Sequence, residues 1–161
     1  MCGRHCRWRS AAAVAGYSSR STLTEPTLHT GTCLCGTIHY EIDGPIGAAV
    51  YCHCSRCRKA NGAAFAVTAP VATKDLRFVS GEASLKSFST PEGVHRVFCA
   101  ECGSPLLSRR DAAPDIVRLR VGTLNTPLPQ APAAHIFVGS KAEWFGIHDG
   151  LPQHAERPLS P

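Results

Sequence analysis

Nine cysteines in 161 residues is the feature that most limits what this chain can fold into. Cys2 and Cys6 lie near the start. The other seven fall into three tight groups: Cys33-Leu34-Cys35, Cys52-His53-Cys54-Ser55-Arg56-Cys57 and Cys99-Ala100-Glu101-Cys102-Gly103. Thiolates two or three residues apart can turn toward one metal ion from a single bend of chain. A glycine after the second cysteine permits the tight turn that points backbone N–H groups at sulfur. Disulfides suit the pattern poorly, because C-x-C partners are too close for a relaxed bridge, seven is odd, and no export signal is evident.

Zinc prefers four ligands in a tetrahedron, so seven sulfurs divide as four plus three. Cys33, Cys35, Cys99 and Cys102 can close a four-sulfur cage that staples the start of the domain to its middle. Cys52, Cys54 and Cys57 can bind a second ion within six residues and leave its fourth position open, as catalytic zinc sites do. The expectation is two Zn²⁺ per chain, although thiolate softness alone does not separate zinc from iron. His53 is a further candidate ligand, but as the strand neighbour of Cys52 and Cys54 its ring is expected on the opposite face.

Charge narrows the function classes. The net charge is +5, and residues 1–24 hold Arg4, Arg7, Arg9 and Arg20 with no acid, leaving +1 for the rest. A nucleic-acid groove needs positive charge concentrated on the folded surface, so nucleic acid is not expected as a partner. No apolar run approaches the ~18 residues of a membrane span. The acid-free, Ala-, Ser- and Arg-rich leader has the composition of an organellar transit peptide. The preferred reading is a flexible extension over residues 1–27 of a cytoplasmic protein, with Cys2 and Cys6 as bystanders. The zinc-binding domain is expected over residues 28–154, with a loose, proline-capped end from Pro152 and a tail over 155–161.

The body reads as mainly β. Period-two segments span Thr37–Ile42, Ala49–His53, Ala64–Ala69, Leu76–Val79, Leu85–Ser89, His95–Phe98, Leu106–Arg109, Ile116–Val121 and His135–Val138. Val117, Leu119 and Val121 alternate with Arg118 and Arg120, the pattern of a sheet with one buried face. Only Cys54–Ala60 reads as a helix, a short one. Arg56, Arg58 and Lys59 form the one basic cluster evident in the body; they read as a solvated helix face or as a grip for a substrate carboxylate. Ser104 reads as a turn residue, His135 and His148 as structural, and Trp144-Phe145 as core or pocket wall. Gly139-Ser140-Lys141 lacks the glycine spacing of a phosphate loop.

Gly31-Thr32-Cys33-Leu34-Cys35-Gly36-Thr37-Ile38-His39-Tyr40, Tyr51-Cys52-His53-Cys54-Ser55-Arg56-Cys57-Arg58-Lys59 followed by Gly62-Ala63-Ala64-Phe65, and Phe98-Cys99-Ala100-Glu101-Cys102-Gly103-Ser104-Pro105-Leu106 stand in order. So do His135 to Lys141, with Trp144 and Asp149. The assembled pattern, over about residues 29–154, resembles the glutathione-dependent formaldehyde-activating enzyme (Gfa) and centromere protein V family. One departure is Asn125, where relatives often carry Asp. The resemblance implies an Mss4-like scaffold of antiparallel sheets with few short helices. It implies a structural zinc on Cys33, Cys35, Cys99 and Cys102 and a functional zinc on Cys52, Cys54 and Cys57. The activity implied is that of a carbon–sulfur lyase of the S-(hydroxymethyl)glutathione synthase type, joining a thiol such as glutathione to formaldehyde or a similar aldehyde. The alternative on the same scaffold is a noncatalytic zinc-binding module for a protein partner or small thiols.

Overall fold

The computed structural model describes residues 28–158; the N-terminal leader with Cys2 and Cys6 lies outside the described residues. Eleven strands and one α-helix follow one another: β1 Leu28–Thr32, β2 His39–Asp43, β3 Val50–Cys52, α1 Ser55–Asn61, β4 Ala66–Ala72, β5 Leu76–Ser80, β6 Leu85–Ser89, β7 Val94–Cys99, β8 Pro105–Arg110, β9 Ala113–Arg120, β10 Ala134–Ile136 and β11 Gln153–His154. They form a three-stranded sheet, β1-β2-β5, and an eight-stranded sheet ordered β11-β10-β3-β4-β9-β8-β7-β6. The fold is therefore mainly β, as the period-two pattern implies.

Most pairings are antiparallel, but β10 runs parallel to both β3 and β11. The antiparallel sheets expected thus carry one parallel edge, at β10. Between β9 and β10 the chain crosses to the far side of β3, so β10 is not joined to its neighbour by a hairpin.

The core lies between the two sheets. Ile38, Tyr40 and Ile42 from around β2 pack with Val71, Val117, Leu119 and Leu107 of the large sheet, all nearly sealed from solvent. Val117 faces Val71 across the β4–β9 pair, and Leu119 sits opposite Ala69 and Leu107. Burying a Leu or Val side chain contributes about 1.5–3 kcal/mol, which makes this row the main source of sheet-on-sheet cohesion.

Three local departures from the sequence reading have physical causes. β1 escapes the hydrophobic pattern because its inward residues are His29 and Gly31 rather than aliphatics. β4 continues through Pro70, where the sequence suggests a stop. β3 reaches only as far as the Val50–Thr68 pair, so the missing Pro70 N–H falls on an open side, where Gly47 N–H donates to the Pro70 carbonyl at 2.9 Å. The strand expected over His135–Val138 ends at Ile136 because Phe137 adopts φ 58° and Val138–Ser140 curls into a 3₁₀ turn.

The C-terminal stretch also differs from a loose end. His135 N–H donates to the Pro152 carbonyl at 2.8 Å, Gly139 N–H reaches the Ala155 carbonyl at 3.3 Å, and Gln153–His154 pair as β11.

Candidate functional site

The first cysteine group is built from two turns. Cys33 to Cys35 follows β1, and Cys99 to Cys102 joins β7 to β8. Each turn is closed by a glycine in the left-handed region, Gly36 at φ 76° and Gly103 at φ 73°. Gly36 N–H donates to the Cys33 carbonyl at 3.1 Å and Gly103 N–H to the Cys99 carbonyl at 2.9 Å. Ile38 N–H points at the Cys33 sulfur at 3.2 Å. Ser104 links the turns: its carbonyl accepts from Cys99 N–H at 3.0 Å and its hydroxyl from Leu34 N–H at 3.2 Å. This is the turn role expected of it.

The four sulfurs lie within 4.8 Å of one another, with Cys33–Cys35 at 3.5 Å and Cys35–Cys99 at 3.9 Å. A tetrahedral zinc with ~2.3 Å bonds sets its sulfurs about 3.8 Å apart, so the donor set fits that ion. Backbone N–H groups of Ser104 and Cys35 hold the Cys102 thiol down to about 6, while burial pushes Cys99 up to about 11.

The second group surrounds the start of α1. Cys52 ends β3, Cys54 caps the helix, and Cys57 lies in its first turn. Cys57 N–H donates to the Cys54 sulfur at 3.3 Å, and Cys52 and Cys54 sulfurs are 3.6 Å apart. Hydrogen bonds from the Cys52 and Cys57 thiols hold Cys54 far below the ordinary thiol range, and the same contacts push Cys52 up. The three sulfurs lie within 4.8 Å of one another, and no fourth His, Cys, Asp or Glu joins them among the described residues. This donor set also fits zinc.

His53 points away, as the strand geometry predicts. It is fully buried against Phe65 and Phe145. Its Nε2 is 2.8 Å from His135 Nδ1, and His135 Nε2 is 3.0 Å from Asp149 Oδ2. The Asp149 carboxylate accepts from His135 Nε2–H, which lowers its own proton affinity. His53 Nε2 and His135 Nδ1 share one hydrogen bond, whose direction is set by the tautomers of the two rings. His53 Nδ1 has no hydrogen-bond partner of good geometry among the described residues. The chain His53–His135–Asp149 braces the back of the strand that carries Cys52. Phe145 belongs to this pocket wall. Trp144, expected with it as core or pocket wall, is instead 74% exposed, and His148 is exposed too.

The sulfur triplet opens into a cleft of about 370 Å³. Arg56, Arg96, Arg110, Arg118, Arg120 and Arg157 line it, and among the described residues no Asp or Glu does. Strand register explains the convergence. Arg118 sits opposite Ser108, which sits opposite Arg96, so one row crosses β9, β8 and β7. Arg120 faces Thr68, which faces Val50, one side-chain step from Cys52 on the same face. The arginines that alternate with the core valines and leucines therefore line the cleft. Burial draws Arg118 and Arg120 below the ordinary guanidinium range, and Arg157 and Arg110 push Arg118 the same way. An adjoining groove of about 510 Å³, with Phe88, Phe98 and Leu107 in its walls, shares Arg56, Arg96 and Arg120 with the cleft.

The basic cluster Arg56, Arg58 and Lys59 does not act as a unit. Arg56 stands at the cleft rim, 3.3 Å from Glu92, and Arg58 donates to the Ser140 carbonyl at 3.2 Å. Lys59 faces only the adjoining groove. Lys141 donates to the Phe145 carbonyl at 2.7 Å, in keeping with the rejection of a phosphate loop. Asn125 accepts from the Thr32 hydroxyl at 3.2 Å, a role that needs only an acceptor oxygen. Sequence reasoning missed Arg96, Arg110 and Arg157. The only trace of the cleft in the sequence is that the polar partner residues along β9 are arginines.

No curated protein matches the chain. The crystal structure of a Rhodobacter sphaeroides protein, a Northeast Structural Genomics target, is similar to it with a TM-score of 0.54 and 27% identity, over 64% of this chain and 97% of that one. The family model for the glutathione-dependent formaldehyde-activating enzyme matches residues 28–140, a stretch that holds both cysteine groups, and the chain belongs to that family.

Proposed function

We propose that the protein is a zinc-dependent carbon–sulfur lyase that joins a thiol, such as glutathione, to formaldehyde or a similar aldehyde. Cys33, Cys35, Cys99 and Cys102 hold a structural zinc, and Cys52, Cys54 and Cys57 a catalytic one. The observation that carries this reading is the inequality of the two groups: four sulfurs close around one point, and three stand in the wall of a cleft with no fourth donor among the described residues. Zinc held by three protein ligands supplies an open position where a substrate thiol ionises at neutral pH.

The chain's own residues set the terms of that chemistry. Three thiolates with Zn²⁺ would leave a net −1, which by itself opposes a fourth thiolate from the substrate. The arginines of the cleft face this charge and lower the cost of bringing an anion to it. The cleft holds both reactants together, which gives the proximity advantage of an intramolecular reaction. The seven cysteines of the described residues form no disulfide with one another, which suits the reducing cytoplasm, where we place the reaction.

Exchange spectroscopy of formaldehyde with glutathione, with and without the zinc-loaded protein, is the direct test. Exchange faster than the spontaneous reaction is expected, and it should vanish in Cys54→Ser. No acceleration at near-stoichiometric protein would leave the module without catalysis as the better reading.

A further inference from the structure

The arginines in the cleft exceed what charge balance at the sulfur triplet requires. One net negative charge at the metal faces Arg56, Arg96, Arg110, Arg118, Arg120 and Arg157, and of these only Arg56 has a carboxylate partner among the described residues. Arg120 is 5% exposed, and its Nε has no hydrogen-bond partner among the described residues. A buried guanidinium N–H without an acceptor costs free energy unless a ligand satisfies it, and with the other arginines around it the cleft is shaped for an anion. Arginine, with its planar fork, is suited to binding carboxylate or phosphate in bidentate fashion.

We propose that the cleft selects a polyanionic substrate: a thiol, or its aldehyde adduct, that carries at least two oxyanion charges, carboxylate or phosphate, besides the reacting sulfur. This rests on the zinc–thiol reading of the same cleft. Among the described residues no acid lines the cleft, so no carboxylate within it pairs with an ammonium group. Glutathione brings two carboxylates and one ammonium, and so meets this lining less well than a thiol with two negative charges and no positive one.

The test is calorimetric titration of the zinc-loaded protein, at low salt, with small thiols of graded charge. The series is cysteamine, 2-mercaptoethanol, 3-mercaptopropionate, mercaptosuccinate and 2-mercaptoethyl phosphate, with inorganic pyrophosphate as the probe that lacks sulfur. Kd should fall roughly tenfold for each added negative charge. Mercaptosuccinate and 2-mercaptoethyl phosphate should both bind more tightly than the monoanion, and the tighter of them names the oxyanion. Arg118→Gln and Arg110→Gln should each weaken the doubly charged thiols about tenfold and 2-mercaptoethanol at least threefold less than that, with zinc content and circular dichroism unchanged. Equal Kd values across the thiol series would overturn the proposal and leave the zinc–thiol reading standing. Pyrophosphate binding that depends on Arg118 while no thiol binds would uphold the anion selectivity and sink the zinc–thiol reading. Silence from every probe overturns both.

Discussion

Single contacts around Tyr40 show how little freedom the core leaves. The ring is 1% exposed, its hydroxyl sits 2.8 Å from Thr123 Oγ1, and it packs edge-on against Phe78. Gly31 lies against the phenol, and a Cβ there would also come within 2.6 Å of the Thr123 carbonyl oxygen. Gly31→Ala should therefore lower stability by about 2 kcal/mol or more, measured by denaturant unfolding. Burial pushes the Tyr40 phenol up to about 12 from 10. In the unfolded chain the phenol ionises near 10, while the native state keeps its proton until about 12. The native state thus binds more protons in that window, and stability falls as pH rises through it. The loss should amount to about 2–3 kcal/mol at its alkaline end. Tyr40→Phe should flatten that alkaline loss, at a cost of about 1 kcal/mol near neutrality.

Among the elements, β9 carries two functions on two faces. Leu119, 1% exposed, belongs to the core, and Leu119→Ala should cost about 2–5 kcal/mol in equilibrium unfolding. Its neighbours Arg118 and Arg120 belong to the cleft. The alternation of this strand is legible in the sequence, but it tells only that one face is buried. Solvent and a ligand cleft demand the same polar residues, so period two cannot separate them. Helix α1 poses a related question at its first residue. Cys54 is both a zinc-ligand candidate and the N-cap, accepting from Cys57 N–H. Serine is itself a good cap, so Cys54→Ser should keep the fold while losing the second zinc. Cys54→Ala should lose the zinc and about 1 kcal/mol of stability besides. Circular dichroism with metal analysis separates these outcomes.

The two cysteine groups differ in what they tie together over the described residues. Cys33 and Cys35 leave the small sheet, and Cys99 and Cys102 sit between two strands of the large one, so the quartet crosses between sheets. The triplet stays within one six-residue stretch. A mild chelator should therefore remove one zinc per chain with the circular dichroism spectrum intact. Loss of the second should coincide with unfolding, as should Cys99→Ser, because a structural zinc contributes folding free energy outright. A single zinc per folded chain, or unfolding on loss of the first, would show that the division of roles is wrong.

The sequence by itself determined what depends on short spacing. Cys33 and Cys35, Cys52 to Cys57, and Cys99 and Cys102 are each close enough that local turns alone bring their sulfurs together, and the period of two marks the strands. Only the tertiary structure decided what depends on cross-strand register and on the path of the chain. The convergence of Arg96, Arg110, Arg118 and Arg157 on one cleft comes from β7, β8, β9 and the C-terminal stretch being folded against each other. The chain His53–His135–Asp149 is assembled only because β10 crosses to lie parallel beside β3. Apart from the arginines that alternate along β9, neither leaves a local trace, because strand pairing is non-local: which residues share a face across a sheet is fixed by register between segments far apart in the chain.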